Sequence, residues 1–177
     1  MTLLVQPEMG RYSYGAPIVR KWGGETTRCI IGAFCSIAEN VQVALGGNHT
    51  VDWISTFPFP AFFEGFGGIF YPGLGTKGDV IIGNDVWIGI NVSILSGSVV
   101  GDGCAVGADA VIAGHIPAYS VVVGNPARVI RKRFTDEQIA QLLKIKWWDW
   151  EIEKILENVP LLLSPNIDEF ITKHQLM

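Results

Sequence analysis

His49 is the residue in this chain best placed by its type and context to move a proton. It stands in GGNHTVDW (46–53), where Gly46 and Gly47 let the backbone turn sharply. Histidine titrates near neutrality, so it can take a proton from a hydroxyl or amine. Asn48 and Asp52 are candidates to orient the ring, although Asp52 serves equally well as a loop cap. His115, at a turn position of a repeat, reads as solvent-facing. His174 stands near a terminus expected to fray.

Three further features point to a ligand. Trp87 precedes an aliphatic residue that should face inward, so it projects outward beside a groove or packs in an oligomer interface. Arg128, Arg131, Lys132 and Arg133 gather four of the thirteen basic residues in an acidic chain of net charge −4. They suit phosphate groups, or form a solvated run before a helix. Gly124, Asn125 and Pro126 read as a tight turn before them. The three cysteines, Cys29, Cys35 and Cys104, lack metal-binding or redox spacing and read as buried apolar residues. No metal-ligand cluster is visible, so no metal is expected.

The elements that must position these residues follow from a six-residue repeat. From Ile82 the chain reads IGNDVW, IGINVS, ILSGSV, VGDGCA, VGADAV, IAGHIP. Aliphatic residues recur at Ile82, Ile88, Ile94, Val100, Val106 and Ile112, and in the same phase at Ile31, Ile37 and Val43. A small or β-branched residue follows four places on, at Val86, Val92, Ser98, Cys104, Ala110 and Ile116. A period of six fits neither an alternating strand nor an amphipathic helix and marks a parallel β-helix.

Asn48 to about Val80 interrupts the repeat with an aromatic, Pro- and Gly-rich stretch that includes Trp53, Phe57, Phe59, Phe62, Phe63, Phe66, Phe70 and Tyr71. Such an insertion maps to one face, as an acceptor pocket or a subunit contact. Thr135 with Gln138 predicts a capping box. Asp149 is a candidate cap for a second helix ending before Pro160. This helical tail is expected to close the open end of the stack. Residues 1–134 thus read as a β-helix with an inserted loop at about 49–79, and 135–177 as a helical extension. Tyr12, Tyr14, Ile18 and Ile30 are candidates for an irregular first coil.

The acidic balance argues against a nucleic-acid partner. The absence of an apolar run long enough for a bilayer argues against membrane insertion. With no signal-peptide pattern at the N-terminus, a cytoplasmic location is expected.

The motifs GRYSYG (10–15), IGAFCSIA (31–38), NHTVDWISTFPF (48–59), GDVIIGNDVWIG (78–89), VVGNPARVIRKRF (122–134) and IKWWDW (145–150) resemble the hexapeptide-repeat acyltransferases of the xenobiotic type. That group contains type B chloramphenicol and streptogramin acetyltransferases. The resemblance implies an all-β fold, a left-handed parallel β-helix with a C-terminal helical segment. It implies a homotrimer with active sites between subunits, and acetyl-CoA as cosubstrate. His49 would be the general base and Trp87 would contact the acyl donor. The coenzyme would lie along the outer coil groove past Gly89, Ala105 and Gly107. Asn125, Pro126, Arg128, Arg131 and Lys132 would stand near its far end. A coil amide between Ser98 and Gly107 is a candidate oxyanion donor.

The loop departs from the chloramphenicol type before the histidine, which favours a sugar or polysaccharide hydroxyl as acceptor over a drug hydroxyl. A non-catalytic β-helix scaffold is the competing reading of another class. A carbonic-anhydrase-like chemistry would need three histidine ligands on the coils, and the chain has three histidines in all.

Overall fold

The inward aliphatic residues of successive coils stack in register, and that stacking builds the molecule. The computed structural model describes residues 2–22, 26–66 and 75–175. Three five-stranded sheets form the faces of a triangular prism.

The first face holds β2 (Glu8–Met9), β4 (Cys29–Ile31), β7 (Val80–Ile82), β10 (Val99–Val100) and β13 (His115–Ile116). The second holds β5 (Ser36–Ile37), β8 (Trp87–Ile88), β11 (Ala105–Val106), β14 (Ser120–Val123) and β15 (Arg128–Lys132). The third holds β1 (Thr2–Val5), β3 (Ile18–Trp22), β6 (Gln42–Ala44), β9 (Ser93–Ile94) and β12 (Val111–Ile112). Each coil runs from the first face to the second to the third, and the fold is a left-handed parallel β-helix. It is an exception to the usual right-handed parallel crossover.

Every expected inward position is buried, from Ile31, Ile37 and Val43 to Ile88, Ile94 and Ile112. Ile31 pairs with Ile82 and Ile82 with Val100, so like residues stack along the axis. Two-residue strands have little stability alone; the continuous core holds them.

The corners need backbone that turns tightly. Asn40, Asn91 and Asp109 adopt positive φ at the corner between the second and third faces, a conformation these short polar residues tolerate. Their side chains form a ladder, Asn40 to Asn91 at 2.8 Å and Asn91 to Asp109 at 3.1 Å. At the corner between the first and second faces, Gly103 has φ 67° and lies under the Tyr119 ring, where a Cβ would come within 2.4 Å of Cε1.

The N-terminal segment forms an ordered first coil. Tyr14 bridges to Ser36, whereas Ile30 belongs to the second coil and faces outward. The chain reverses at each end of the stack: β1 pairs antiparallel with β3, and β15 pairs antiparallel with β14.

The tail contains α2 (Asp136–Ile145), a 3-10 turn at Trp147–Asp149, α3 (Ile152–Leu162) and α4 (Ile167–His174), after the short loop helix α1 (Phe59–Phe62). The Thr135–Gln138 capping box is present. The tail does not close the open end. It lies lengthwise along the corner between the first and second faces, with Tyr119 of the last coil and Phe34 of the second in one apolar cluster with it. Arg11 of the first coil donates from Nη2 to the carbonyls of Trp148 and Trp150. Trp148 is buried, which locks Asp149 into the 3-10 turn, so Glu151 rather than Asp149 is the cap of α3. The helix runs past Pro160 to Leu162, since a proline in a last turn forfeits one hydrogen bond while its neighbours pack on the tail core. His174 is not frayed: Nε2 lies 3.0 Å from Asn158 Oδ1, and the ring packs on Trp150 and Phe170.

Ile94→Ala is expected to cost about 2–5 kcal/mol in urea unfolding, the range for an emptied core site. Its outward neighbour Ser93→Ala should stay within about 0.5 kcal/mol. Equal costs would contradict the stacked-core account.

Candidate functional site

The inserted loop leaves β6 at the corner between the third and first faces, and its two stems are tied together where His49 emerges. Asn48 and Gly75 exchange backbone hydrogen bonds at 2.9 and 2.7 Å. Ser96 is buried, and its hydroxyl accepts from Asn48 Nδ2 at 3.1 Å and from the Lys77 amide at 3.2 Å. The Thr76 hydroxyl donates to the Leu45 carbonyl at 2.5 Å. Gly47 takes φ 85°, with the Trp22 indole where a side chain would lie. The backbone that carries His49 is therefore fixed from both stems.

His49 is exposed, and its Nδ1 lies 2.7 Å from the Thr56 carbonyl oxygen. A carbonyl can only accept, so Nδ1 carries a proton, and in the neutral ring the lone pair is then on Nε2. Asn48 Nδ2 donates to Ser96 on the stem, and no hydrogen bond joins it to the imidazole among the described residues. Asp52 is exposed, and no hydrogen bond or ion pair joins it to His49 among the described residues. The group that orients the ring is the Thr56 carbonyl. No side-chain pattern marks a main-chain acceptor, so sequence reading had no signal for it.

Beyond His49 the loop presents Phe57, Phe59, Phe62 and Phe63 as a cluster of exposed rings, with centroids 4.9 to 6.3 Å apart. Phe70 and Tyr71 lie outside the described residues.

Trp87 projects outward from the second face and is 55% exposed. The register places Ser36, Trp87, Ala105, Val121 and Arg131 in one outward row across that face. At the usual spacing of about 4.8 Å per strand, Trp87 and Arg131 stand roughly 14 Å apart. Gly89 and Gly107 follow β8 and β11, where close neighbours exclude a side chain. A Cβ at Gly89 would meet the Ala108 amide at 2.7 Å, and one at Gly107 would meet Val123 Cγ1 at 2.9 Å.

Asn125 and Pro126, joined by a cis peptide, form the exposed turn between β14 and β15. Arg128 and Arg131 are exposed on β15. Lys132 pairs with Asp136, and Arg133 turns away to the tail, donating to the Gly103 carbonyl at 2.7 Å. The basic run therefore divides between two corners.

In a triangular prism the corner between the third and first faces stands opposite the second face. One chain thus holds His49 on one side and the Trp87 row on the other. Of the coil amides between Ser98 and Gly107, those of Val99, Gly101, Gly103 and Gly107 donate to neighbouring coils at 2.7–3.0 Å. The cysteines are unsuited to nucleophilic attack. Burial pushes the Cys29 thiol up to about 12 and raises Cys35 and Cys104. Among the described residues no three His, Cys, Asp or Glu side chains gather as a metal site, and no helix is long and apolar enough to cross a membrane.

Comparison with known proteins agrees with this architecture. The family model described as bacterial transferase hexapeptide (six repeats) matches residues 79–114. A probable macrolide acetyltransferase of Lysinibacillus sphaericus is 43% identical over 151 residues, 83% of this chain and 84% of the relative. A chloramphenicol acetyltransferase of Agrobacterium fabrum is 43% identical over 148 residues, 79% of this chain and 68% of the relative. Among solved structures, a hexapeptide-repeat acetyltransferase of Vibrio cholerae in complex with acetyl-CoA superposes with a TM-score of 0.55 at 23% identity, covering 72% of this chain and 60% of that one. With the coil stack, the exposed loop histidine and relatives of this identity spanning most of both chains, the protein belongs to the hexapeptide-repeat acyltransferases of the xenobiotic type and is an acetyltransferase.

Proposed function

We propose that the protein transfers the acetyl group of acetyl-CoA directly to an acceptor hydroxyl, with His49 Nε2 as general base. The observation that carries this reading is the Nδ1–Thr56 hydrogen bond, which holds the ring and puts the lone pair of the neutral imidazole on Nε2. Nε2 takes the hydroxyl proton as the acceptor oxygen bonds to the thioester carbonyl carbon. As the tetrahedral intermediate collapses, the carbon–sulfur bond breaks and the imidazolium returns its proton to the departing sulfur. The products are an acetyl ester and free coenzyme A.

The row of Trp87, Ala105 and Arg131 suits an extended coenzyme. Trp87 would pack on the acyl end of the arm, and Arg131 with Arg128 would meet the phosphates. Gly89 and Gly107 keep the coils close beside this row, and Asn125 and Pro126 set the turn that starts β15. Because His49 and the row lie on opposite sides of one chain, a complete site takes His49 from one copy and Trp87 from another. A homotrimer supplies that arrangement three times.

The aromatic loop beside His49 favours a bulky, largely apolar acceptor carrying a hydroxyl. The relatives' names point the same way, to a macrolide and to chloramphenicol. Free-thiol release from acetyl-CoA against a macrolide, chloramphenicol, a streptogramin and a set of saccharides tests the acceptor. Drug turnover supports this reading, and turnover of saccharides alone returns the acceptor to the carbohydrate class.

His49→Ala should lower kcat by about 10²- to 10⁴-fold without unfolding the protein; near-full activity would remove His49 from the mechanism. Ser96→Ala frees both loop stems and should lower kcat roughly 10- to 100-fold while leaving the KM for acetyl-CoA unchanged. A rise in that KM alone would show that Ser96 acts elsewhere. Co-refolding His49→Ala with Trp87→Ala chains should recover part of the activity that either variant lacks, since some interfaces then pair an intact His49 with an intact Trp87. No recovery would place both groups in one chain.

A further inference from the structure

The loop that carries His49 leaves the stack through two adjacent glycines, Gly46 and Gly47. On one side of them Leu45 is fixed: its carbonyl accepts from the Thr76 hydroxyl at 2.5 Å and from the buried Thr27 hydroxyl at 3.3 Å. On the other side Asn48 is fixed by its pair of backbone hydrogen bonds with Gly75. Glycine reaches both halves of φ freely, so two in a row swivel unless something outside the backbone stops them.

Trp22 is placed to stop them. β3 and β6 run parallel with Arg20 opposite Ala44, and the Leu45 amide donates to the Arg20 carbonyl at 2.9 Å. β6 ends at Ala44 while β3 continues to Trp22, which brings Trp22 beside the glycines. Its other edge is covered by β1, where Thr2 is its partner. The six-membered half of the indole occupies the space of a Gly47 side chain: a Cβ there would come within 2.8 Å of both Cε2 and Cζ2. Gly47 holds φ 85° against that ring. Position 47 thus needs glycine twice, for its φ and for its space.

The root of the loop is held by the coils on both sides. Ser96, just past β9 in the coil that follows, takes Asn48 and Lys77 by hydrogen bonds. Trp22, at the end of β3 in the coil before, lays its ring on Gly47. Among the described residues Trp22 is only partly buried and lies in neither buried apolar cluster, so its ring fills no core site.

We propose that Trp22 is a positioning residue for acetyl transfer: by locking the Gly46–Gly47 joint it fixes where the loop root, and His49 with it, stands against the coil stack. The proposal rests on His49 acting as the base. Trp22 acts through Gly47 and meets neither the acetyl donor nor the acceptor. Without the ring the joint swivels and the root frays, and a base misplaced by about 1 Å loses up to roughly 10² in rate.

Steady-state kinetics with acetyl-CoA and the fastest acceptor of the drug and saccharide panel test this. Trp22→Ala should lower kcat about 10- to 100-fold and keep the KM for acetyl-CoA within about twofold. Trp22→Phe keeps a ring over Gly47 and should hold kcat within about threefold of the parent. Gly47→Ala forces the same joint from the loop side and should lose at least as much as Trp22→Ala, which carries the test if Trp22→Ala does not fold. Amide hydrogen exchange gives a readout without turnover. The Asn48 and Gly75 amides should exchange about tenfold faster in Trp22→Ala while the Leu95 amide of the coil keeps its rate. Full kcat in Trp22→Ala, or exchange that quickens equally at Asn48, Gly75 and Leu95, would overturn the proposal. Near-full activity of His49→Ala with quickened exchange would sink the base reading beneath it, whereas unchanged exchange at Asn48 and Gly75 would sink the role of Trp22.

Discussion

The register of the inward aliphatic residues is the constraint on which everything else here depends. Ile82 must lie between Ile31 and Val100, and Ile88 must lie between Ile37 and Val106. One residue too many on a face would turn the inward positions outward. A coil therefore keeps to three hexapeptides, and the chain can lengthen only where it leaves the stack, at a corner or an end.

That restriction gives the three corners different work. One is closed by the Asn40–Asn91–Asp109 ladder. One carries the helical tail and the Arg133–Tyr119 stack. The third releases the loop with His49. The faces between them are narrow, so Trp87 cannot reach the corner opposite it. A fold this rigid keeps the His49 loop and the Trp87 row on separate sides of one chain.

The coil architecture was legible because stacking repeats the same requirement every six residues. Trp87 could be read as outward for the same reason, since its neighbour Ile88 had to face in. The loop histidine stood out because it fell where the repeat stopped. What could not be read depended on contacts between distant segments. Ser96 looks like any small residue of a repeat, yet it holds two loop stems that arrive from elsewhere. Thr56 acts through its carbonyl, which every residue has. Arg133 sits in a basic run and leaves it only because Gly103 makes room for the Tyr119 ring. The tail's helical pattern was plain, but helical spacing says which side is apolar and not which surface it meets. Phe34, Tyr119 and Arg11 drew it along the edge.

The joining of the loop stems at Ser96 divides the enzyme into two heritable parts. The backbone at His49 is seated by Asn48, Gly75 and Lys77 at the two ends of the loop, and its ring by the Thr56 carbonyl within the loop. The rings from Phe57 to Phe66 can change in composition without removing the stem contacts or the Thr56 carbonyl. The exposed rings of the loop can therefore diverge separately from the seat of the histidine, so a lineage could rewrite one side of the loop while the imidazole stayed where it was.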